Sequence, residues 1–215
     1  MKILNLYAGL GGNRKLWGDE HEITAIEYKP EIAKFYQDHF PKDRVIVTDA
    51  HEYLLKHFDE YDFIWSSPPC PTHSGVRFAV ASSDYGKKTG VHTPIYPDMK
   101  LYQEILLLKH YFKGKWVVEN VIPFYEPLIQ AQKIGSHLFW ANFMIPSMRT
   151  ESRDHEGTIE SLSLRKGFDL SKYKGIDKRL ALRNCVEPEV AKHILDYAIN
   201  PIQLQNGLFE LSTSS

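Results

Sequence analysis

Five short apolar runs alternate with helix-like stretches along the first two-thirds of the chain, and this alternation constrains the fold more than any other feature. Each run is rich in β-branched and aromatic residues and ends near polar residues, glycine or proline. The runs lie at residues 2–7, 22–27, 44–49, 61–66 and 115–120. Helical patterns lie at residues 30–40, 50–58 and 97–112, the last of which opens on Pro97. This order predicts an α/β fold, with a mostly parallel sheet, helices on both faces, and ligands beyond the carboxyl ends of the strands.

Composition narrows the class of protein. The chain has 215 residues, 43% hydrophobic and 25% charged, which suits one globular domain, with or without a small appendage. A net charge of −1 means that any surface for nucleic acid must be local. No apolar run is long enough to span a membrane, and residues 1–12 lack the pattern of a signal peptide, so we expect a cytoplasmic protein. Two distant cysteines predict free thiols, and ten scattered histidines predict no metal site.

Two segments depart from the alternation. Residues 67–96 form a polar loop that is too long for a simple connection and is therefore functional or mobile. Residues 146–182 lack strong periodicity and are rich in basic residues: Arg149, Arg153, Arg165, Lys166, Lys172, Lys174, Lys178 and Arg179. This stretch is either a small recognition region or a solvated loop. An amphipathic helix follows at residues 187–199.

The ends of the first three runs carry the groups expected of an adenosine site. Gly9, Gly11 and Gly12 follow the first run, where glycine lets the backbone turn tightly and approach a ligand. Glu27, at the end of the second run, can accept hydrogen bonds from ribose hydroxyls, and the ring of Tyr28 can stack on adenine. Asp49, after the third run, either binds the adenine amino group or caps the following helix. The chain has no phosphate-binding GxxxxGK[ST] loop, which argues against ATP.

Candidate reacting groups follow the fourth and fifth runs. Cys70 lies in SSPPCPTHS, where prolines stiffen a polar loop that would make a poor core, so we expect an exposed and rigidly held nucleophile. Glu119 follows the apolar residues Trp116, Val117 and Val118, where partial burial favours a carboxyl group that holds a proton at neutral pH. Such a group can donate a proton to a ring nitrogen.

The glycine turn AGLGG, PPC at residues 68–70 and ENV at residues 119–121 together resemble motifs of the DNA cytosine C5 methyltransferase family. Residues 101–104 (LYQE) are similar to the family's segment after its catalytic loop, and residues 182–195 to its last motif. The resemblance covers residues 2–145 and 182–200. It implies a Rossmann-like methyltransferase fold, S-adenosylmethionine as the cofactor, and transfer of a methyl group to cytosine C5 in DNA.

The resemblance also implies roles for individual residues. The cofactor-binding set is Tyr7, Ala8, Gly9, Leu10, Gly11, Gly12, Glu27, Tyr28, Asp49, Ala50, Pro68, Leu101, Asn184, Cys185 and Val186. The catalytic set is Cys70, Glu119, Asn120 and His137, and the DNA-contacting set in the loop at residues 74–96 is Ser74, Arg77, Lys87 and Lys88. Four positions depart from the family pattern: Pro71 replaces a glutamine, Gly135 and His137 stand where arginines are usual, and Arg183 replaces a glycine. His137 is either a replacement base contact or an ordinary strand histidine.

These assignments divide the chain into four parts. They are a cofactor-binding and catalytic domain at residues 1–145, a basic recognition segment at residues 146–182, a returning helix at residues 183–201, and a tail at residues 202–215. Three alternatives stay open: methylation of cytosine in RNA, a catalytically silent DNA-binding relative, and an NAD-type oxidoreductase, for which Asn13 and Arg14 leave the glycine pattern incomplete. The family's recognition domain is large, so specificity here comes either from this short segment or from a separate recognition subunit.

Overall fold

A computed structural model describes residues 1–75, 78–79, 83, 95–150 and 157–200. The strands found within these residues are β1 Lys2–Leu6, β2 Glu22–Glu27, β3 Arg44–Val47, β4 Phe63–Ser66, β5 Lys115–Val121, β6 Gln132–Ile134 and β7 His137–Ala141. They form one sheet in the order β3-β2-β1-β4-β5-β7-β6. Strands β1 to β5 pair in parallel, whereas β7 runs antiparallel to both β5 and β6. The predicted fold class and all five predicted strands are confirmed, and β6 and β7 extend the sheet beyond them.

The helices of the same residues are α1 Pro30–His39, α2 Ala50–His57, α3 Lys100–Tyr111, α4 Ile159–Lys166, α5 Lys178–Arg183 and α6 Pro188–Ile199. Short 3-10 turns occupy Arg14–Leu16 and Phe58–Glu60. Proline at the first position begins α1 and α6, because its missing N–H is not needed there. The prediction that Pro97 begins α3 was wrong. That helix begins three residues later, after Met99, so Pro97 lies in the preceding segment.

Alternate residues of the strands face opposite sides of the sheet, and each side has its own core. Ile3 and Phe63 pack on one side with Ile194 of α6. Leu4 and Ile64 pack on the other side with α2 and α3. Because both faces are covered, the central strands are mostly apolar, as expected for parallel strands buried between helix layers.

A third cluster joins the glycine turn to the region that was predicted to be a basic segment. Leu10 and Phe35 pack there against Leu162, Phe168 and Leu182. The predicted recognition segment therefore contributes part of its length to the core, including α4, which the sequence pattern did not predict.

One of the basic residues of this segment is not available to a ligand. Lys166 is 2% exposed, and its Nζ donates to the carbonyl of Cys185 at 2.6 Å and pairs with Glu187 at 2.6 Å. Lys15 Nζ in turn donates to the carbonyls of Lys166 and Gly167. These contacts hold the end of α4 against the 3-10 turn at Arg14–Leu16.

In the described part of the chain, no helix is long and apolar enough to cross a membrane. The same residues contain no group of three or more His, Cys, Asp or Glu side chains that could hold a metal ion.

Candidate active site

The turn after β1 depends on backbone conformations that favour glycine. Gly9 and Gly11 have φ angles of +55° and +82°, and Tyr7 adopts a φ of +56° in spite of its side chain. A Cβ at Gly12 would lie 2.3 Å from the carbonyl oxygen of Val186. Gly12 therefore allows the predicted last motif to pack directly against the turn.

A buried polar network supports this turn from below. Asn13 Nδ2 donates to Asn5 Oδ1 at 2.6 Å. Arg14 is 3% exposed and pairs with Asp43 at 2.8 Å, while the Tyr36 hydroxyl donates to the same carboxylate at 2.9 Å. A buried guanidinium needs such partners because an unpaired charge would be costly. The network therefore fixes the position of the turn.

Glu27 ends β2 with both carboxylate oxygens held in place. Oε2 accepts from the amide of Gly9 at 2.9 Å, and Oε1 accepts from the amide of Lys29 at 2.9 Å. The neighbouring Tyr28 ring is 72% exposed. The carboxylate therefore has a fixed position and spare acceptor capacity, beside an aromatic face that the protein itself leaves uncovered.

Asp49 caps a helix and also faces a small cavity. Its side chain accepts from the amide of Glu52 at 3.0 Å, which caps α2 and lowers the pKa of the carboxyl group. It also lines a cavity of about 110 Å³ with Tyr7, Pro68 and Leu101. The ends of β1, β3 and β4 and the start of α3 thus meet at one small pocket.

The side chain that organises this pocket from behind is Glu104, which sequence reasoning missed. This carboxylate is 1% exposed and accepts from the Tyr7 hydroxyl at 2.6 Å, from Ser66 Oγ at 2.6 Å and from His51 Nδ1 at 3.0 Å. Burial and the carboxylate raise the pKa of Tyr7, and the hydrogen bond raises the pKa of His51. A glutamate three residues after Leu101, on the apolar face of a predicted helix, was the available signal.

Cys70 begins a tight turn beyond β4. Its carbonyl accepts from the amides of His73 at 3.0 Å and Ser74 at 3.1 Å. The thiol is half-buried rather than exposed. Burial, followed by the negative charge of Glu119, raises the pKa of Cys70, so the protein without ligands favours the thiol over the thiolate.

Asn120 ties this turn to β5. Its Nδ2 donates to the carbonyl of Pro68 at 3.0 Å, and its Oδ1 accepts from the amide of Val121 at 2.9 Å. Asn120 is 2% exposed, and these contacts hold the Pro68 backbone against β5.

Glu119 and His137 come together across β5 and β7. Glu119 is 9% exposed, and its Oε1 lies 3.3 Å from His137 Nε2. The antiparallel register pairs His137 with Val121, which places the histidine beside the strand end that carries Glu119. The imidazole can therefore hold the carboxyl group in place.

His73 is a second residue that the sequence reasoning missed. It is 1% exposed, and its Nδ1 forms a hydrogen bond with the Tyr125 hydroxyl. Its carbonyl accepts from the amide of Phe124 at 3.1 Å, and burial lowers its pKa. The Cys70 turn is thus anchored to the segment after β5 as well as to β5 itself. A buried histidine in a polar loop gave no sequence signal for this contact.

The other predicted site residues differ in their surroundings. Ala8, Leu10 and Ala50 are buried in the packing around the turn and α2. Asn184 is exposed at the end of α5, while Cys185 is buried, which raises the pKa of its thiol to about 11. Ser74 forms an isolated bridge with Pro123. Arg77, Lys87, Lys88 and the tail at residues 202–215 lie outside the described residues.

The family model of the C-5 cytosine-specific DNA methylases matches residues 1–111, which is 111 of the 215 residues. The chain belongs to this family. The family consists of methyltransferases, and the matched region includes the glycine turn, Glu27, Asp49 and Cys70. Glu119, His137 and the segment at residues 182–200 lie beyond it.

Several solved structures are similar to this chain, although no curated protein sequence matches it. A hypothetical protein of Thermus thermophilus shares 15% identity over 65% of this chain and 73% of its own, with a TM-score of 0.40. DNMT2 of Spodoptera frugiperda, as a mutant, shares 26% identity over 56% of this chain and 35% of its own, with a TM-score of 0.37. An S-adenosylmethionine-dependent methyltransferase of Agrobacterium tumefaciens shares 15% identity over 58% and 40%, with a TM-score of 0.40.

Proposed function

We propose that this protein transfers a methyl group from S-adenosylmethionine to C5 of cytosine in DNA, through a covalent bond between Cys70 and C6 of the base. The observation that carries the proposal is that the Cys70 turn and the Glu119 strand end are joined. Asn120 binds the backbone of Pro68, and the charge of Glu119 acts on the Cys70 thiol. A nucleophile and a proton donor on one rigid frame are what addition across a pyrimidine ring requires.

The residues at the ends of β1, β2 and β3 fit the adenosine part of the methyl donor. The Glu27 carboxylate suits ribose hydroxyls, the uncovered Tyr28 ring suits an adenine face, and Asp49 lies in the cavity beside Leu101. A Cβ at Gly9 would have one backbone or side-chain contact within 4 Å, the carbonyl oxygen of Tyr7 at 3.9 Å, so the backbone of Gly9 can approach a ligand. When bound, the donor supplies an electrophilic methyl group.

The protein's own residues account for the activation of the base. Cytosine C5 is a weak nucleophile until the ring loses its aromatic character. Cys70 first gives up its thiol proton to solvent, and its sulfur then bonds to C6 while Glu119 gives a proton to N3. C5 thereby gains the electron density needed to take the methyl group. Loss of the C5 proton to solvent, return of the N3 proton to Glu119 and cleavage of the C6–sulfur bond restore the ring. The released Cys70 thiolate then takes a proton from solvent, which restores the enzyme.

His137 and Asn120 position these groups. His137 lies within hydrogen-bonding distance of Glu119, where it can orient the carboxyl group toward the base. We propose that it fulfils part of the role for which other family members use arginine. Asn120 holds the PPC turn at a fixed distance from β5.

DNA is the proposed substrate because the family of the chain consists of DNA methylases. The target atom is hidden inside a duplex, so the cytosine must leave the stack at a cost of about a few kcal/mol. We propose that Ser74 and, in the loop beyond it, Arg77, Lys87 and Lys88 contact phosphates around the open base.

We expect relaxed specificity. Reading several base pairs requires an element that enters the major groove with bidentate contacts, each worth about 1–3 kcal/mol. Residues 157–182 commit Leu162, Phe168, Leu170 and Lys166 to internal packing, which leaves little chain for such an element. A target of about two to four base pairs follows. The alternative is a separate recognition subunit, without which the chain would be nearly inactive.

The experiment that tests the function supplies donor labelled in its methyl group together with duplex DNA, single-stranded DNA or transfer RNA. We expect label in DNA from the wild-type protein, and a loss of at least about a thousandfold in Cys70→Ser with donor affinity unchanged, because a serine hydroxyl is a far weaker nucleophile at neutral pH. Lys34→Gln, on the exposed surface of α1, is the control. Label in transfer RNA alone would support the RNA alternative, and near wild-type transfer by Cys70→Ser would exclude Cys70 as the nucleophile.

Trapping tests the covalent step separately. DNA that carries 5-fluorocytosine cannot lose a proton from C5 after methyl transfer, so the C6–sulfur bond should persist. We expect an adduct that survives denaturing electrophoresis in the wild-type protein and is absent in Cys70→Ser.

A further inference from the structure

A pair of stacked aromatic rings lies open to solvent beside the Cys70 turn. The ring centroids of Phe78 and Phe124 are 4.7 Å apart, and their planes differ by 3°. Phe78 is 53% exposed and Phe124 is 40% exposed. Two stacked rings that both reach water form an exposed apolar patch, which marks a binding site more often than an isolated exposed side chain does.

The pair is built on the two chain segments that carry the reacting groups. The amide of Phe78 donates to the carbonyl of Ser74 at 3.1 Å, one helical turn beyond the Cys70 turn. The amide of Phe124 donates to the carbonyl of His73 at 3.1 Å, and Phe124 follows β5, which carries Glu119. The rings therefore stand where the nucleophile loop and the proton-donor strand meet at the surface.

The surface is held from behind. The Tyr125 ring meets Phe124 edge-on, with centroids 5.1 Å apart at 88°, and the Tyr125 hydroxyl bonds to the buried His73. Phe124 therefore has a fixed backing rather than a free side chain. A rigid aromatic face can bind a flat partner with little loss of conformational entropy.

We infer that the Phe78–Phe124 pair is a stacking site for an unpaired nucleic-acid base next to the target cytosine. This inference rests on the proposed function, because that function brings a nucleic acid to Cys70. Extraction of one base leaves its neighbours without a stacking partner, and any base can stack on an aromatic side chain whatever its identity. The Ser74 amide donates to the carbonyl of Cys70 at 3.1 Å, and the Phe78 amide donates to the carbonyl of Ser74 at 3.1 Å, so two backbone hydrogen bonds connect the pair to Cys70. The neighbour of a cytosine held at Cys70 therefore falls within reach of the pair.

The test is a cycle that removes the stacking partners from both sides. A short fluorescein-labelled single strand with one cytosine is compared with the same strand lacking the base beside that cytosine, and affinity is measured by anisotropy without methyl donor. We expect Phe78→Ala to weaken binding of the intact strand by about tenfold, and the missing base to weaken wild-type binding by a similar factor. The abasic strand should bind the variant and the wild type nearly equally, because the lost contact is the same one.

Two further variants separate stacking from simple hydrophobic contact and from misfolding. Phe78→Leu keeps apolar area but removes the aromatic face, so it should bind like Phe78→Ala. Phe78→Trp should bind at least as tightly as wild type, and its exposed indole emission should be quenched by the intact strand, against a background of four buried tryptophans. Tyr111→Ala, which removes a 70% exposed ring at the far end of α3, is the control and should change nothing.

The outcomes separate this inference from the proposed function. If Phe78→Ala and the missing base weaken binding independently, so that their effects multiply, the pair does not contact that base and the inference is wrong, whatever the labelling result. Dissociation of a dimer by Phe78→Ala would overturn it too, since the pair would then bind a second copy. A coupled cycle in a protein that transfers no label would leave the base site intact and reject the methyltransferase proposal instead.

Discussion

At the ends of β1 and β2 the protein's own groups hold the polar side chains in place, whereas beyond β4 burial and a nearby carboxylate disfavour the thiolate form of Cys70, the proposed nucleophile. Glu27 accepts one backbone amide on each oxygen, and Glu104 accepts three side-chain donors. Cys70, by contrast, has a pKa raised by burial and by Glu119, and among the described residues no cation stands beside it to favour the thiolate.

The difference suggests that one part of this sheet edge is arranged to bind a ligand and the other to hold a thiol in its protonated form. A site that binds a donor before catalysis gains from a geometry that exists without the ligand. A nucleophile that stays protonated until a substrate arrives does not react with other electrophiles. Substrate binding would change the surroundings of Cys70 and Glu119, and proton uptake by the carboxyl group would remove the negative charge that disfavours the thiolate.

The largest effect should come from a change at Glu119, which we propose both as the proton donor and as the negative charge that raises the pKa of Cys70. In Glu119→Gln, methyl transfer should fall by at least about a hundredfold because the proton donor is lost. The Cys70 thiol should become more reactive toward iodoacetamide at pH 8, because removing the carboxylate lowers the thiol pKa.

Alkylation rates measured against pH in a Cys185→Ala background test this prediction. The wild-type rate should rise with pH through the raised Cys70 pKa, and the profile of Glu119→Gln should be displaced to lower pH. An unshifted profile would mean that burial alone sets the Cys70 pKa.

The next effect concerns Glu104, behind the proposed cofactor pocket, and is an effect on the free energy of unfolding. Glu104→Gln keeps the shape of the side chain but weakens the charge-assisted bonds from Tyr7, Ser66 and His51, so we expect a loss of about 2–4 kcal/mol in unfolding free energy. The bond to Glu104 raises the pKa of His51, so this part of the stabilisation is complete below the ordinary histidine pKa of about 6.5 and is lost as pH rises through the raised value. Urea unfolding at pH 6 and pH 9 should therefore show the larger difference at pH 6, with exposed Glu52→Gln as the control.

A smaller effect is expected on the affinity for the methyl donor when the residues proposed to bind its adenosine part are changed. Glu27→Ala should weaken donor binding by about tenfold or more, since it removes a charge-assisted hydrogen bond worth about 1.5–3 kcal/mol. Asp49→Asn should weaken it similarly while preserving the cap of α2, because asparagine caps helices as well as aspartate does. Calorimetric titration with the donor provides the measurement, and unchanged dissociation constants in both variants would move the adenosine site elsewhere.

Sequence reasoning found the strand ends but not the groups that hold them together. Gly9, Glu27, Asp49 and Cys70 are visible in the sequence because a run of apolar residues stops and a chemically distinctive residue follows. Glu104 lies inside a helix and acts on residues 97 positions earlier and 38 positions earlier in the chain, so no local pattern reveals its partners. The antiparallel β7 was missed for a related reason. Its pairing with β5 requires a reversal of chain direction, whereas the alternation of strands and helices predicts parallel neighbours.

The smallest effect should be found in the basic segment, which extends the comparison to a third region. Lys166 is buried and contacts Cys185 and Glu187, whereas Lys172, Lys174 and Arg179 are exposed. If these cations contact phosphates, changing each to glutamine should lower DNA affinity by a few-fold, equally for all sequences, and should reduce the salt dependence by about 0.9 in log–log slope per contact. Lys34→Gln, on the exposed surface of α1, is the matched control. Anisotropy titrations with two unrelated duplexes at several salt concentrations provide the measurement. A variant that weakens binding to one duplex much more than to the other would show that this segment contacts bases, at about 1–3 kcal/mol per contact. The target sequence would then be longer than the two to four base pairs expected above.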